Sequence, residues 1–201
     1  MIHRVERVAF ENVPSFVLHP GLPVTVGNRT VPVDVAYAGA FYAVVDSEAA
    51  GVPLRREALP QIRRLGWDIA REVEAAITVR HPDETGLHGV YGTVFTGIAE
   101  RQDADLRNVT VFAHRPVDRS PCGAGTAAVL AVLDAMGFLA DDQWFCHEGI
   151  VGTTFRGRVR SRTTVGRFEA IVPEIEGAAW ITGEHVFLVD DEDPLRHGFV
   201  L

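Results

Sequence analysis

DRSPCGAGTAAVLAVL, residues 118–133, determines most of what this sequence predicts. A proline and two glycines bracket Cys122, and an apolar run with Gly137 behind it predicts a helix over 123–136. Because that helix is apolar on nearly every face, we expect sheet to enclose it on all sides. Cys122 falls in the first turn, where free N–H groups and the helix dipole favour a thiolate and attract carboxylates.

The remaining sequence predicts one more helix and a series of strands. Apolar residues recur at helical spacing over 56–79, and His81-Pro82 ends that helix. Apolar runs predict strands at 24–26, 31–35, 41–46, 90–98, 108–113, 149–155, 157–160, 168–172, 178–182, 185–189 and 198–201, with a hairpin turn at Gly27-Asn28. The predicted fold class is α+β: a β-barrel-like, mostly antiparallel sheet wrapped around helix 123–136, with the other helix packed outside.

Composition limits the function classes. The formal net charge is −8 and the arginines are scattered, so we expect no nucleic-acid partner. The two cysteines argue against a disulfide framework, and no apolar run is long enough to span a bilayer. With no signal-peptide pattern at the N-terminus, we expect a soluble, cytoplasmic protein without membrane contact.

The sequence also offers little support for a bound cofactor. The chain contains no lysine, which excludes a lysine-bound cofactor, and no phosphate-loop pattern, so we expect none. Cys146-His147 invites a metal interpretation. However, adjacent strand residues face opposite ways and no second ligand pair is suitably spaced, so we expect no metal site and a packing role.

The stretch DRSPCGAGTAA resembles the second cysteine motif of the proline racemase family, which includes hydroxyproline epimerases and trans-3-hydroxyproline dehydratases. Further matches follow in the family's order: 12–16 (NVPSF), 38–43 (AGAFYA), 108–112 (NVTVF), 149–152 (GIVG), 155–157 (FRG), 181–183 (ITG) and 193–199 (DPLRHGF). The resemblance covers essentially the whole chain but only the second half of the family's length.

The resemblance implies a two-lobed enzyme in which each lobe, like those of diaminopimelate epimerase, wraps a barrel around a helix and supplies one cysteine. Residues 1–185 are then expected to form the second lobe, and 186–201 to cross to a first lobe absent from this chain. The first lobe's motif, roughly Met-Cys-Gly-His, does not occur here. The isolated chain is therefore expected to be incomplete or inactive.

The resemblance also assigns roles at the site. It makes Cys122 a proton-transfer group and lets the amides of Gly123 and Ala124 hold the substrate carboxylate. It places Asp118 against the ring nitrogen and Phe112 against the ring. The alternatives stay open: an inert buried thiol for Cys122, a turn residue for Asp118 and a core residue for Phe112.

The resemblance favours a cofactor-independent racemase or epimerase of proline or 4-hydroxyproline, with a small imino acid as substrate. Cysteine at 122 supports this, because the dehydratase branch has threonine there. A trans-3-hydroxyproline dehydratase is the first alternative, and a truncated, non-catalytic binding lobe is the second. A homodimer presenting two Cys122 thiols is a further possibility. His114-Arg115, where the family often has an acidic residue and glycine, is expected to affect substrate preference.

Overall fold

A computed structural model describes residues 6–199 of the 201-residue chain. Its elements in chain order are β1 (Val8–Glu11), β2 (Ser15–Val26), β3 (Arg29–Tyr37), β4 (Phe41–Asp46), a 3-10 turn (Arg56–Ala58), α1 (Leu59–Ala76), β5 (Val90–Ile98), β6 (Leu106–Phe112), α2 (Gly123–Ala135), β7 (Phe145–Gly149), β8 (Thr154–Val165) and β9 (Phe168–Gly177). The strands at 41–46 and 90–98 have the predicted bounds.

Eight of these strands close into a barrel. They neighbour one another in the order β9-β2-β3-β4-β5-β6-β7-β8, and β8 pairs back to β9. The β4–β5 and β6–β7 pairs are parallel, and every other pair is antiparallel. The short β1 lies outside this ring, paired with the end of β9. The expected α+β class, with a barrel-like and mostly antiparallel sheet, is confirmed.

The two helices lie on opposite faces of the sheet. Helix α2 is buried continuously from Gly125 to Val132 and contacts β2, β3, β4, β8 and β9, as its uniformly apolar sequence predicted. Along β4, Tyr42 and Val44 face α2, whereas Phe41, Ala43 and Val45 belong to the core under α1. This alternation follows from the two-residue repeat of a strand. It gives the domain two cores, with α2 at the centre and α1 outside.

Helix α1 is shorter than the sequence predicted. It is preceded by the 3-10 turn and stops at Ala76, because Ile77 is already extended. Its close approach to the sheet requires Gly66, where an added Cβ would lie 2.9 Å from Cβ of Val111. No helix within residues 6–199 has the length and apolarity needed to cross a membrane.

Several strand predictions in the second half are wrong. The run at 149–155 contains the turn between β7 and β8, where Gly152 has a φ of 81°. Residues 178–182 and 185–189 form no strand, and their side chains are exposed. Extended segments need a hydrogen-bonding neighbour, and none is supplied within residues 6–199. Residues 198 and 199 are likewise irregular, and residues 200 and 201 of the predicted final strand lie outside the described part.

Candidate active site

A tightly folded loop carries the chain from β6 into α2. The Asp118 amide donates to the Thr110 carbonyl at 3.0 Å, which folds the loop back along β6. One carboxylate oxygen of Asp118 accepts from the amide and the hydroxyl of Ser120, at 2.8 and 2.9 Å. The Ser120 hydroxyl in turn accepts from the Cys122 amide at 3.1 Å. Asp118 therefore has the turn role that the sequence left open, and its substrate role stays a prediction.

Cys122 occupies the N-cap position of α2 in a conformation that is unusual for a residue with a side chain. Its φ is 62° and its ψ is 117°. A positive φ brings Cβ close to backbone atoms and is costly for residues other than glycine. The thiol sulfur accepts a hydrogen bond from the Gly125 amide at 3.2 Å. This backbone conformation directs the thiol to the first turn of the helix.

The ionisation of Cys122 differs from the expectation drawn from the sequence. Burial raises the pKa of the thiol above its ordinary value, and the charge of Asp118 adds to that increase. The Gly125 amide and the hydroxyls of Thr110 and Tyr42 stabilise the thiolate but do not offset the loss of hydration. The sequence predicted a thiolate from the helix terminus alone. The residue is only 6% exposed, so desolvation dominates.

The first two amides of α2 are available to a ligand. Gly123 and Ala124 are half-buried, and no acceptor within residues 6–199 lies on either amide. Such amides, together with the positive end of the helix dipole, form a site for a carboxylate. Phe10 of β1 lies over this position, since a Cβ on Gly123 would be 3.4 Å from its ring. No local pattern points to Phe10 as a site residue, because β1 reaches the site only through its pairing with β9.

Aromatic side chains stand beside the loop. The half-buried Phe112 contacts the exposed Tyr91, with ring centroids 5.4 Å apart. Tyr91 in turn meets the buried Tyr42 edge to face at 6.0 Å. Phe112 packs at the edge of the α2 core, so it is partly a core residue while part of its ring stays exposed. Burial raises the pKa of Tyr42 far above its ordinary value, and the charge of the nearby Cys122 thiolate adds to that increase.

The principal cavities within residues 6–199 lie away from the thiol. The principal cavities of this part are lined by residues other than Cys122, Asp118, Gly123 and Ala124. The nearest to the aromatic side chains, of about 380 Å³, includes Tyr91 and Ala113 in its wall. Loop residues 114 and 115 are exposed and both have positive φ, of 64° and 74°. The residues predicted from the sequence thus come together around one helix terminus, where Cys122 is buried and the others are half-buried.

A buried polar cluster lies directly behind the cysteine turn. His147 of β7 is fully buried, and its Nδ1 is 2.8 Å from Asn108 Nδ2 and 3.0 Å from Thr126 Oγ1. Burial lowers the pKa of His147 to about 3. Cys146, its neighbour in sequence, is half-buried, and no group of three or more metal-ligating side chains occurs within residues 6–199. The sequence had singled out Cys146-His147 but not the contact between His147 and the turn.

Comparison with known proteins identifies the family. The profile described as "Proline racemase" matches residues 2–200. A trans-3-hydroxy-L-proline dehydratase of Bacillus cereus is 46% identical over 197 residues, which are 98% of this chain and 59% of that protein. A proline racemase of Acetoanaerobium sticklandii is 38% identical over 200 residues, covering 98% of this chain and 60% of its own length.

A solved structure supports the same assignment. A hydroxyproline epimerase from Agrobacterium vitis with bound trans-4-OH-L-proline superposes with a TM-score of 0.85 at 33% identity, covering 98% of this chain and 56% of that one. The chain thus spans about three fifths of the length of these relatives. With the barrel, the central helix and the cysteine turn in place, the chain belongs to the proline racemase family.

Proposed function

We propose that this chain supplies one of two proton-transfer thiols to a cofactor-independent racemase or epimerase acting on proline or 4-hydroxyproline. The observation that carries the proposal is the first turn of α2. There the Cys122 sulfur and two unoccupied amides, those of Gly123 and Ala124, occupy one helix terminus. An imino acid bound by its carboxylate to those amides would have its α-carbon within reach of the thiol.

The proposed reaction removes the proton from one face of the α-carbon and delivers another proton to the opposite face. A thiolate on one face takes the α-proton, and the electron pair left on carbon is delocalised into the carboxylate. A thiol on the opposite face gives its proton to that carbon, so the configuration inverts and the two sulfurs exchange protonation states. Amide donors on the carboxylate stabilise the carbanion because negative charge accumulates there as the bond breaks.

The raised pKa of Cys122 supports a particular protonation state at the start of the proposed reaction. Because burial disfavours the thiolate, the resting residue is a protonated thiol near neutral pH, ready to act as the acid. Acting as the base requires ionisation, which the Gly125 amide and the Thr110 and Tyr42 hydroxyls support. The second thiol of the pair would come from a further lobe or from a second copy of this chain.

The other site residues complete the binding proposal. The Asp118 oxygen that does not serve Ser120 is proposed to accept from the substrate's ring nitrogen. Phe112, half-exposed at the edge of the core, is proposed to pack against the ring. No group on this route requires a metal or an organic cofactor. A reducing cytoplasmic compartment, which we also propose, would keep Cys122 and Cys146 as free thiols.

The C-terminal segment supports the proposal that a further lobe completes the site. Val186, Phe187 and Leu188 are 88%, 88% and 91% exposed, although such apolar runs are normally covered. We propose that residues 186–201 cross to a first lobe, whereas 1–185 form the lobe described here. A homodimer facing two Cys122 residues is the other arrangement that would supply two thiols.

Dehydration of trans-3-hydroxyproline is the second candidate activity. It is supported by the 46% identity to a protein named trans-3-hydroxy-L-proline dehydratase. That reaction needs one base for the α-proton and loss of the neighbouring hydroxyl, and it ends in a pyrroline. A binding lobe without catalysis is the third possibility and would show neither chemistry.

Deuterium exchange distinguishes these possibilities. The chain is incubated in D₂O separately with L-proline, D-proline and trans-3-hydroxy-L-proline, and the α-proton signal is followed by NMR. One thiol per site predicts exchange of one proline enantiomer without interconversion, and Cys122→Ser abolishes it. Interconversion together with dimeric elution supports the homodimer, and a pyrroline signal supports the dehydratase. Exchange that persists in Cys122→Ser contradicts a catalytic thiol in this chain, and no exchange with any substrate favours the binding lobe without catalysis.

A further inference from the structure

Two buried side chains contact the carbonyl group that precedes the cysteine, and a third lies against both of them. The Pro121 carbonyl accepts from Asn108 Nδ2 at 2.9 Å and from Thr126 Oγ1 at 3.2 Å. His147 Nδ1 lies against both of these groups. Asn108, Thr126 and His147 are each 0% exposed. These polar groups are thus held in one orientation behind the turn, away from water.

The direction of the two Asn108 hydrogen bonds follows from the chemistry of the atoms, whereas the single hydrogen of the Thr126 hydroxyl serves either the Pro121 carbonyl or His147. A carbonyl oxygen only accepts, so the Asn108 atom facing Pro121 must be its amide nitrogen, which carries two hydrogens. The second hydrogen points at His147 Nδ1, which must therefore be an unprotonated acceptor. The geometry requires a neutral imidazole, in agreement with the lowered pKa of His147. Protonation of Nδ1 would set two donors against each other and release Asn108 from its position.

Strand β7 supports the same turn at a second point. At Gly149 a Cβ would lie 3.0 Å from the Pro121 nitrogen and 3.1 Å from the Ser120 carbonyl carbon. The backbone of β7 thus lies directly against the Ser120–Pro121 peptide, two residues along from His147. Side-chain hydrogen bonds and backbone contact together fix the peptide that leads into Cys122.

That peptide sets the conformation of the cysteine. Cys122 has a φ of 62°, which a residue with a Cβ adopts only when its surroundings impose it. Relaxation of the turn would move the sulfur away from the Gly125 amide and expose it. We infer that His147, Asn108 and Thr126 are positioning residues that hold the Pro121 carbonyl and thereby keep the Cys122 thiol buried at the helix terminus.

The alkylation rate of the Cys122 thiol in the intact chain tests this positioning role directly. In a Cys146→Ser background, only Cys122 is alkylated by iodoacetamide, and its rate is followed from pH 6 to pH 11. His147→Leu removes the acceptor, so the turn relaxes and the sulfur gains solvent. We expect the limiting rate at high pH to rise about tenfold and the apparent pKa to fall, because burial is what raises it.

Two variants separate positioning from loss of stability. His147→Asn keeps an acceptor near the position of Nδ1, so its profile should stay within about twofold of the parent. Val33→Ala, in the core under α1, destabilises the fold without touching the turn and should also leave the profile unchanged. Profiles of His147→Leu and Val33→Ala that coincide overturn the inference, as does a His147→Asn profile that matches His147→Leu.

A second pair of variants, at Thr126, tests the inference if His147→Leu does not fold. Thr126→Val removes the hydroxyl with little change in shape, whereas Thr126→Ser retains it. The limiting rate is expected to rise about threefold in Thr126→Val and to stay unchanged in Thr126→Ser. Equal rates in the two variants contradict the inference. It concerns the same thiol as the proposed function, but alkylation needs no substrate, so a catalytically inactive chain leaves this result intact.

Discussion

Two apolar segments of this chain differ sharply in burial. Residues 122–133 lie inside the barrel, where Leu130 is 0% exposed, whereas residues 178–199 lie outside it, where Leu188 is 91% exposed. The first segment is surrounded by five strands of the same lobe, and the second pairs with nothing in the described residues. An apolar pattern thus becomes regular structure only where the chain supplies a surface to cover it.

The difference also bears on function. The buried segment begins with Cys122 and two half-buried amides that have no acceptor within residues 6–199. In the proposed function, a first lobe would cover the apolar surface of the exposed segment. The same lobe would close the site at Cys122, so the proposal links the two regions.

Truncation of one leucine in each segment is the strongest test of this contrast. Leu130→Ala leaves a cavity in the α2 core and should lower the free energy of unfolding by about 3 kcal/mol. Leu188→Ala should change it by less than about 0.5 kcal/mol, because its side chain makes no buried contacts. Urea denaturation followed by circular dichroism measures both values. Similar losses in the two variants would show that the terminal segment packs on the lobe in solution.

The backbone at Cys122 provides the next test. A positive φ costs a residue with a Cβ about 1 kcal/mol relative to glycine. Cys122→Gly should therefore be about 1 kcal/mol more stable than Cys122→Ala, although both lack the thiol. The same pair at Leu188 should give no such gain. If Cys122→Gly is the less stable of the two, the turn is not held in a left-handed conformation.

Much of this contrast could be predicted from the sequence, and the reasons for the failures are specific. The uniformly apolar run after Thr126 predicted both α2 and its enclosure, because periodicity reports burial directly. The same reasoning failed at 178–189, where apolar residues occur but no other part of residues 6–199 covers them. Local patterns specify what a segment needs and not whether the chain provides it.

Some features of the site could likewise be predicted from the sequence and others could not. The positions of Cys122, Gly123 and Ala124 followed from local chain features and from the resemblance. Phe10 and His147 reach the turn through β1–β9 pairing and through strand β7, which no local pattern reveals. The sign of the shift in the thiol pKa was missed because it depends on burial in three dimensions.

The burial of Cys122 also makes the free energy of unfolding depend on pH, by a smaller amount. Because burial raises the pKa of Cys122 in the folded chain, the folded state binds the thiol proton more tightly than the unfolded state. The resulting stability is fully present below the pKa of the unfolded thiol and is lost as pH rises through the folded pKa. The stability difference between the parent and Cys122→Ala should decline over that interval in urea titrations. A difference independent of pH would contradict a buried thiol.

The central claim is that the first turn of α2 binds the carboxylate of the substrate. Titration of the chain with substrate tests it most directly. Trans-4-hydroxy-L-proline is added to ¹⁵N-labelled chain up to about 50 mM, since millimolar affinity corresponds to only about 4 kcal/mol. The account predicts saturable shifts of the Gly123 and Ala124 amide resonances, with those of residues 186–189 unmoved. Amides of the first turn that stay unchanged while others shift, or no saturable shift at all, would contradict a carboxylate site at this helix terminus.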